Sequence, residues 1–156
     1  MKTPLEFVAS AVRATGAEVE DAMPLARQLN NMGMPLYGAQ PPTGYSMKAD
    51  TWVSSSALLT RMNFALALAG GKVRGVKVDA VQLAGGPPAP ETAVALATIE
   101  TKLLADDVSK QTHDSIIAQL TPPAGNGAAP SNGKPKPPDA STIAGLLLGS
   151  PEFQRR

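Results

Sequence analysis

The sequence predicts an all-α fold, an irregular bundle of five to six helices with a Pro/Gly-rich linker before the last helix. Two observations lead to this prediction. Apolar residues recur at helical spacing in most segments of the chain, and clusters of proline and glycine separate those segments. The length of 156 residues suits a single domain.

The first two predicted helices lie at the start of the chain. Thr3 suits the N-cap, Pro4 suits the first helical position, and Glu6 completes a capping box with Thr3. Gly16 is expected to end this helix, since glycine favours the C-terminal cap. A second, shorter helix is predicted over residues 20–33, and the short connection between the two helices predicts an αα-hairpin.

An irregular loop is predicted over residues 34–47, because its prolines and glycines interrupt any regular helix. It carries Tyr37 and Tyr45, two of the six aromatic residues of the chain. A long helix is predicted over residues 49–70, with the serines of Ser54–Ser56 in its interior. Its apolar positions cover most of the helix circumference, so we expect it to be the central buried helix.

The middle of the chain alternates breaks and helices. Residues 72–90 predict a loop with one helical turn near Asp79–Leu83. Two further helices are predicted over residues 90–105 and 109–120, and Ser109 is a candidate cap for the second of them. Apolar residues at helical spacing in both segments predict one buried face on each helix.

A proline- and glycine-rich segment precedes the last predicted helix, which Asp139 or Ser141 would cap. Six prolines and three glycines among twenty residues predict an extended linker. We expect the last helix to dock on the body of the protein, since its run of leucines would otherwise be exposed. The chain therefore divides into three parts: a helical domain over 1–120, a linker over 121–140 and a terminal helix over 141–156.

The composition of the chain argues against several classes of function. The net charge of +1 gives no electrostatic reason to expect binding to nucleic acid. No segment approaches the ~18 uninterrupted apolar residues of a membrane span. The absence of cysteine excludes disulfides, thiolate metal sites and cysteine nucleophiles from this chain. We expect no cofactor.

No residue pattern predicts catalysis or metal binding. His113 is the only histidine and is expected to be a solvated surface residue, while the nearby Asp106-Asp107 pair suits the start of a helix. The carboxylates within residues 18–21 favour helix capping over acid–base catalysis. The serines of the long helix lack a Gly-x-Ser-x-Gly motif, and the glycine pairs lack the spacing of a phosphate-binding loop. We therefore predict no catalytic residue and no metal site.

The aromatic loop is the one candidate ligand-binding site. Aromatic faces beside hydrogen-bonding groups suit sugars or proline-rich peptides. The candidate binding residues are Tyr37, Gln40, Tyr45, Trp52 and Arg61. In the alternative interpretation, Pro41-Pro42 stiffens the connection and the rings pack on the long helix. Arg61 and Asn63 would then anchor backbone carbonyls of the loop.

Three separated segments of this sequence resemble a bacterial family, the domain-of-unknown-function 1800 family. They are Thr3-Pro4-Leu5-Glu6-Phe7-Val8 with Arg13-Ala14, then Tyr37 to Tyr45 followed by Trp52 and Arg61, and Leu147-Leu148-Gly149-Ser150-Pro151-Glu152-Phe153-Gln154. The order of the segments is the family's order, and they span nearly the whole chain. Tyr45 departs from the family pattern, which commonly has tryptophan there followed by glycines.

The resemblance implies the C-terminal part of a larger, exported bacterial protein, with no established activity. It suggests a periplasmic or extracellular location and makes the rest of the same polypeptide the expected partner. The leading hypothesis is a non-catalytic portion that stabilises the larger protein or presents an interaction surface. Two alternatives stay open at this point: a glycan- or peptide-binding module that uses the aromatic loop, and part of an enzyme whose site needs the upstream region.

Overall fold

A computed structural model describes most of the chain. The described residues are 1–86, 92–105, 107–120 and 139–155. The predicted linker lies almost wholly outside them, as does Asp106, so the division of the chain at 120 and 140 stays a prediction.

The described residues confirm an all-α bundle. They contain six helices of nine or more residues, which correspond to the five or six predicted: α1 Pro4–Ala14, α2 Met23–Asn31, α3 Ser55–Ala69, α5 Thr92–Leu104, α6 Lys110–Leu120 and α7 Ala140–Gly149. Two helices have only four residues, α4 Ala80–Leu83 and α8 Pro151–Gln154. The remaining elements are a 3₁₀ helix at Ala49–Trp52 and two short strands, β1 Glu18–Val19 and β2 Val76–Lys77.

Side-chain caps set the starts of several helices, and the sequence predicts those of α1 and α7. In α1 the backbone N–H of Glu6 donates to Thr3 Oγ1 at 3.3 Å, and the backbone N–H of Thr3 donates to Glu6 Oε2 at 2.7 Å. This is the predicted capping box. Asp139 caps α7, and Ser150 caps the short helix α8 that begins at Pro151.

The long helix predicted over residues 49–70 is two elements. The 3₁₀ helix ends at Trp52, the backbone becomes extended at Ser54, and α3 begins at Ser55. The hydroxyl of Ser54 accepts a hydrogen bond from the backbone N–H of Ala57 at 3.1 Å. The prediction that Ser54 lies inside a helix is therefore wrong, because its side chain serves as an N-cap instead.

The helix predicted from residue 20 begins three residues later because the preceding chain forms a strand. Glu18 and Val19 of β1 pair antiparallel with β2. Beside them, the carbonyl of Gly75 accepts hydrogen bonds from the backbone N–H groups of Glu20 at 2.9 Å and Asp21 at 3.0 Å. Glu20 and Lys77 also form an exposed ion pair. The sequence pattern does not predict this pairing, since its partners lie far apart in the chain.

Helix α7 lies at the centre of the core. Ile143, Ala144, Leu147 and Leu148 are fully buried, and the helix packs against α3 and α5. A helix that is apolar on most of its surface is stable only when other elements cover it on several sides. The position of α7 therefore organises the helices around it.

Helix α3 covers one side of α7 and leaves its own outer side exposed. Phe64, Ala65 and Leu68 are buried, whereas Leu58 and Leu59 are 39% and 62% exposed. The sequence predicts α3 as the central buried helix. That prediction is wrong, because the shorter helix α7 occupies the centre and covers only one face of α3.

A glycine permits the close approach of α7 and α3. A Cβ atom at Gly145 would lie 2.7 Å from Leu66 Cδ2 and 3.0 Å from Leu66 Cα. The second contact involves a backbone atom, which a side-chain rotation cannot move. At Gly149 the corresponding neighbours are mainly the flexible end of Met62. The position of Gly145 therefore tolerates a side chain less well than that of Gly149.

We predict that Gly145→Ala lowers the free energy of unfolding by about 1–3 kcal/mol, the usual cost of overpacking a core. This change outweighs the gain of about 1 kcal/mol in helix propensity. Thr142→Ala, at an exposed position of the same helix, is the matched control and should stay within about 0.5 kcal/mol of the parent. Urea unfolding of the parent and the two variants measures the differences in the free energy of unfolding. Equal stability of the two variants would contradict the proposed close packing.

Candidate functional site

The aromatic loop folds two of its rings onto itself. Trp52 is only 7% exposed, and its Nε1–H donates to the carbonyl of Ser46 at 2.8 Å. The hydroxyl of Tyr45 donates to the carbonyl of Pro35 at 2.6 Å. The two ring centroids lie 6.1 Å apart with an interplanar angle of 60°. These contacts hold the loop in its path. The packing of the rings on the long helix stays a prediction.

The other two loop residues predicted to bind a ligand face solvent. Tyr37 is fully exposed and has a positive φ of 59°. Gln40 is also exposed. A ring as exposed as that of Tyr37 does not stack on Tyr45 or Trp52. The structure therefore brings Tyr45 and Trp52 together and leaves Tyr37 apart from them, and ligand binding by this loop stays a prediction.

Arg61 is buried and binds to both ends of the chain. It is 1% exposed. One terminal nitrogen, Nη2, donates to the carbonyl of Lys2 at 3.0 Å, and the other, Nη1, donates to Gln154 Oε1 at 3.4 Å. The guanidinium carbon lies 5.2 Å from the centroid of the Phe7 ring. The carbonyl that Arg61 anchors thus belongs to Lys2, and the expected anchoring of loop carbonyls is replaced by this contact.

The charge of Arg61 has no carboxylate partner within 4 Å among the described residues. Its Nε–H is buried without a hydrogen-bond partner there. Burial lowers the pKa of Arg61, since desolvation disfavours the charged form. The neutral acceptors and the aromatic ring around the guanidinium are its only compensation in the described structure.

Lys2 strengthens the junction between the two ends of the chain. Its backbone N–H donates to the carbonyl of Gln154 at 2.7 Å, and its ammonium donates to the carbonyl of Phe153 at 2.6 Å. The ammonium also lies 4.0 Å from the centroid of the Phe153 ring. Burial lowers the pKa of Lys2, and the nearby Glu6 carboxylate partly opposes that change. We call Lys2, Arg61, Phe153 and Gln154 the terminal clasp.

A comparison with known protein families identifies the family of this chain. A family model described as "Protein of unknown function (DUF1800)" matches residues 1–155. The chain belongs to this family. The matched range includes all four residues of the terminal clasp and the whole aromatic loop. No curated protein and no solved structure matches the chain.

His113 of this DUF1800 chain has a partner that the sequence does not reveal. Its Nδ1 lies 2.8 and 2.9 Å from the two carboxylate oxygens of Glu100. Glu100 is buried on α5, and His113 is partly buried on α6. The expectation of a solvated surface histidine is therefore wrong. Helical spacing places each residue on its own helix but does not define how two helices face each other, so no local signal predicts the pair.

The described residues of the DUF1800 chain hold no cluster of three or more histidines and carboxylates suited to a metal ion. No helix among the described residues is both long and apolar enough to cross a bilayer. In the same part of the chain, Lys77 forms an ion pair with Glu20, and the ring of His113 contacts the carboxylate of Glu100. Each contact joins segments that are distant in the sequence.

An apolar groove lies between α1 and α2 of the DUF1800 chain. It encloses about 580 Å³. Leu5 of α1, Met23 of α2 and Leu36 of the aromatic loop line it and are 45%, 60% and 50% exposed. Arg13 and Asp21 place opposite charges in its lining. The aromatic loop thus contributes to a surface feature that the sequence does not predict, next to the exposed Tyr37.

We predict that Arg61→Met lowers the free energy of unfolding. Each of the two acceptors left without its donor costs about 1–3 kcal/mol, and the removal of a buried charge offsets part of this loss. Arg74→Met is the control, since Arg74 is exposed, and should change stability by less than about 0.5 kcal/mol. Urea unfolding of the three proteins measures the difference. If both substitutions had the same small effect, the terminal clasp would not contribute to stability.

Proposed function

We propose that this chain is a non-catalytic helical portion of a larger exported bacterial protein, and that it binds the rest of that polypeptide. The groove between α1 and α2 carries the proposal. A periplasmic or extracellular location forms part of it and rests on the family resemblance. In this function the chain stabilises the larger protein and presents an interaction surface.

The groove has the features of a surface that another segment covers. Contiguous exposed apolar surface is unfavourable in water, and a larger patch marks an interaction site. The exposed side chains of Leu5, Met23 and Leu36 converge on one concavity instead of being scattered. An apolar helix face or extended segment would remove them from water. The charges of Arg13 and Asp21 in the lining would orient that segment through polar contacts.

Cysteine reporters test the proposal, because the chain has no cysteine of its own. We predict that the thiol of Met23→Cys, in the groove, reacts at least ten-fold more slowly with a labelling reagent in the longer polypeptide than in this chain alone. Val94→Cys is the matched control, since Val94 is 50% exposed on α5 outside the groove. Its rate should be the same in both proteins. Equal rates for Met23→Cys in both proteins would refute the proposal.

A second candidate function is the binding of a glycan or peptide by the aromatic loop. The conformation of Tyr37 favours it. A positive φ at a residue other than glycine costs about 1–3 kcal/mol and tends to persist where the surrounding structure holds it, often at functional sites. Here it holds a fully exposed aromatic ring at the surface. Such a ring suits stacking on a sugar or on proline.

We predict that a glycan or proline-rich peptide from a small panel binds the parent chain and that Tyr37→Ala weakens this binding at least ten-fold. Tyr37→Phe keeps the ring and should retain most of the affinity. Titrations followed by two-dimensional NMR measure binding, and the emission of Trp52 reports whether the loop stays folded. If no panel member bound, or if Tyr37→Ala bound as the parent does, the loop would have no such function.

A further inference from the structure

A second concavity is lined by residues of α3, α6, α7 and α8. It consists of a polar cavity of about 520 Å³ and an apolar cavity of about 420 Å³. Four residues line both cavities: Met62, Gly149, Pro151 and Arg155. The two cavities are therefore halves of one cleft, which we call the amphipathic cleft. Each half has the size of a small-molecule pocket.

The polar half contains a carboxylate without a cationic partner. Ser109 Oγ donates to Glu152 Oε1 at 2.7 Å, and Thr112 Oγ1 lies 3.0 and 3.1 Å from the two carboxylate oxygens. No lysine or arginine of the described residues lies within 4 Å of it. Burial by itself would raise the pKa of Glu152, but hydrogen bonds from Ser109, the backbone and Thr112 outweigh it and lower the pKa. The carboxylate is thus ionised at neutral pH.

Arg155 supplies the opposite charge at the junction of the two halves. It is exposed and follows Glu152 by three residues. Its guanidinium has no carboxylate within 4 Å among the described residues, so it does not neutralise Glu152. Within the described residues, the cleft therefore presents one anion and one cation, and neither has an oppositely charged partner.

Besides the anion and the cation, the cleft offers a surface for an apolar group of a ligand, in its apolar half. Leu58 and Met62 of α3 and Pro151 of α8 line it. Leu58 belongs to the exposed side of α3 and is 39% exposed. An apolar group that enters this half removes these side chains from water, which is favourable by roughly 25 cal/mol per Å² of buried apolar surface.

We propose that the amphipathic cleft binds a small zwitterion with an apolar side chain, a free α-amino acid or a dipeptide. Its ammonium pairs with Glu152, its carboxylate pairs with Arg155, and its side chain enters the apolar half. A ligand with only a positive charge would meet the repulsion of Arg155, and a ligand with only a negative charge would meet that of Glu152. The zwitterion is the chemistry that satisfies both charges.

Isothermal titration calorimetry on this chain tests the proposal with leucine, leucyl-leucine, N-acetyl-leucine and leucinamide. We expect leucine or leucyl-leucine to bind, and the tighter of the two identifies the source of the zwitterion. N-acetyl-leucine lacks the ammonium and leucinamide lacks the carboxylate, so each should bind at least ten-fold more weakly. If neither zwitterion bound at millimolar concentration, the proposal would be overturned.

Two variants separate recognition from a structural effect. Glu152→Gln should abolish the preference over N-acetyl-leucine, and Arg155→Gln should abolish the preference over leucinamide. Arg27→Gln, at an exposed position of α2, should keep both preferences. Glutamine at position 152 keeps an oxygen that accepts from Ser109 and Thr112, and Arg155 is exposed, so each variant retains the contacts of the fold. Persistence of both preferences in both variants would overturn the assignment of the two charges.

Discussion

The close packing of α7 on α3 is the constraint on which the rest of the structure depends. A helix with apolar residues on nearly all sides needs neighbours on nearly all sides. Gly145 lets α7 approach the backbone of α3 at Leu66, and this contact settles which face of α3 is buried. Because protein interiors are packed at crystal-like density, a single Cβ atom at that position affects both helices. The outer leucines of α3 remain exposed as a direct result.

The terminal clasp extends the same core to both ends of the chain. Arg61 lies on the buried side of α3 and reaches Lys2 before α1 and Gln154 at the end of α8. The centroid of the Phe7 ring lies 6.1 Å from the ring centroids of both Phe64 and Phe153, in edge-to-face contacts. The guanidinium of Arg61 lies over the same Phe7 ring. The aromatic contacts of the core and the guanidinium of Arg61 thus act at the same junction between the two ends of the chain. They also position Glu152, since it lies on the short helix that the clasp holds.

The groove and the amphipathic cleft arise where the packing of the helices leaves apolar side chains uncovered. The groove between α1 and α2 lies on one part of the molecule and carries the proposed contact with the remaining polypeptide. The amphipathic cleft adjoins the exposed side of α3 and adds to an apolar floor the charges of Glu152 and Arg155, which form no ion pair within the described residues. The aromatic loop contributes Leu36 to the groove, while the contacting rings of Tyr45 and Trp52 keep the loop in place. The packing of the core therefore determines which apolar side chains stay exposed in the groove and in the cleft.

The sequence by itself determined the features that depend on near neighbours: the capping box of Thr3 and Glu6, the irregular loop, the turn of α4 and the approximate extent of the longer helices. Only the tertiary structure decided the pairing of β1 with β2, the Glu100–His113 pair and the partners of Arg61. Arg61 and Gln154 are 93 positions apart in the chain. Periodicity defines which residues share a helix face, but the register and orientation of helices against each other depend on the side-chain packing of the whole core.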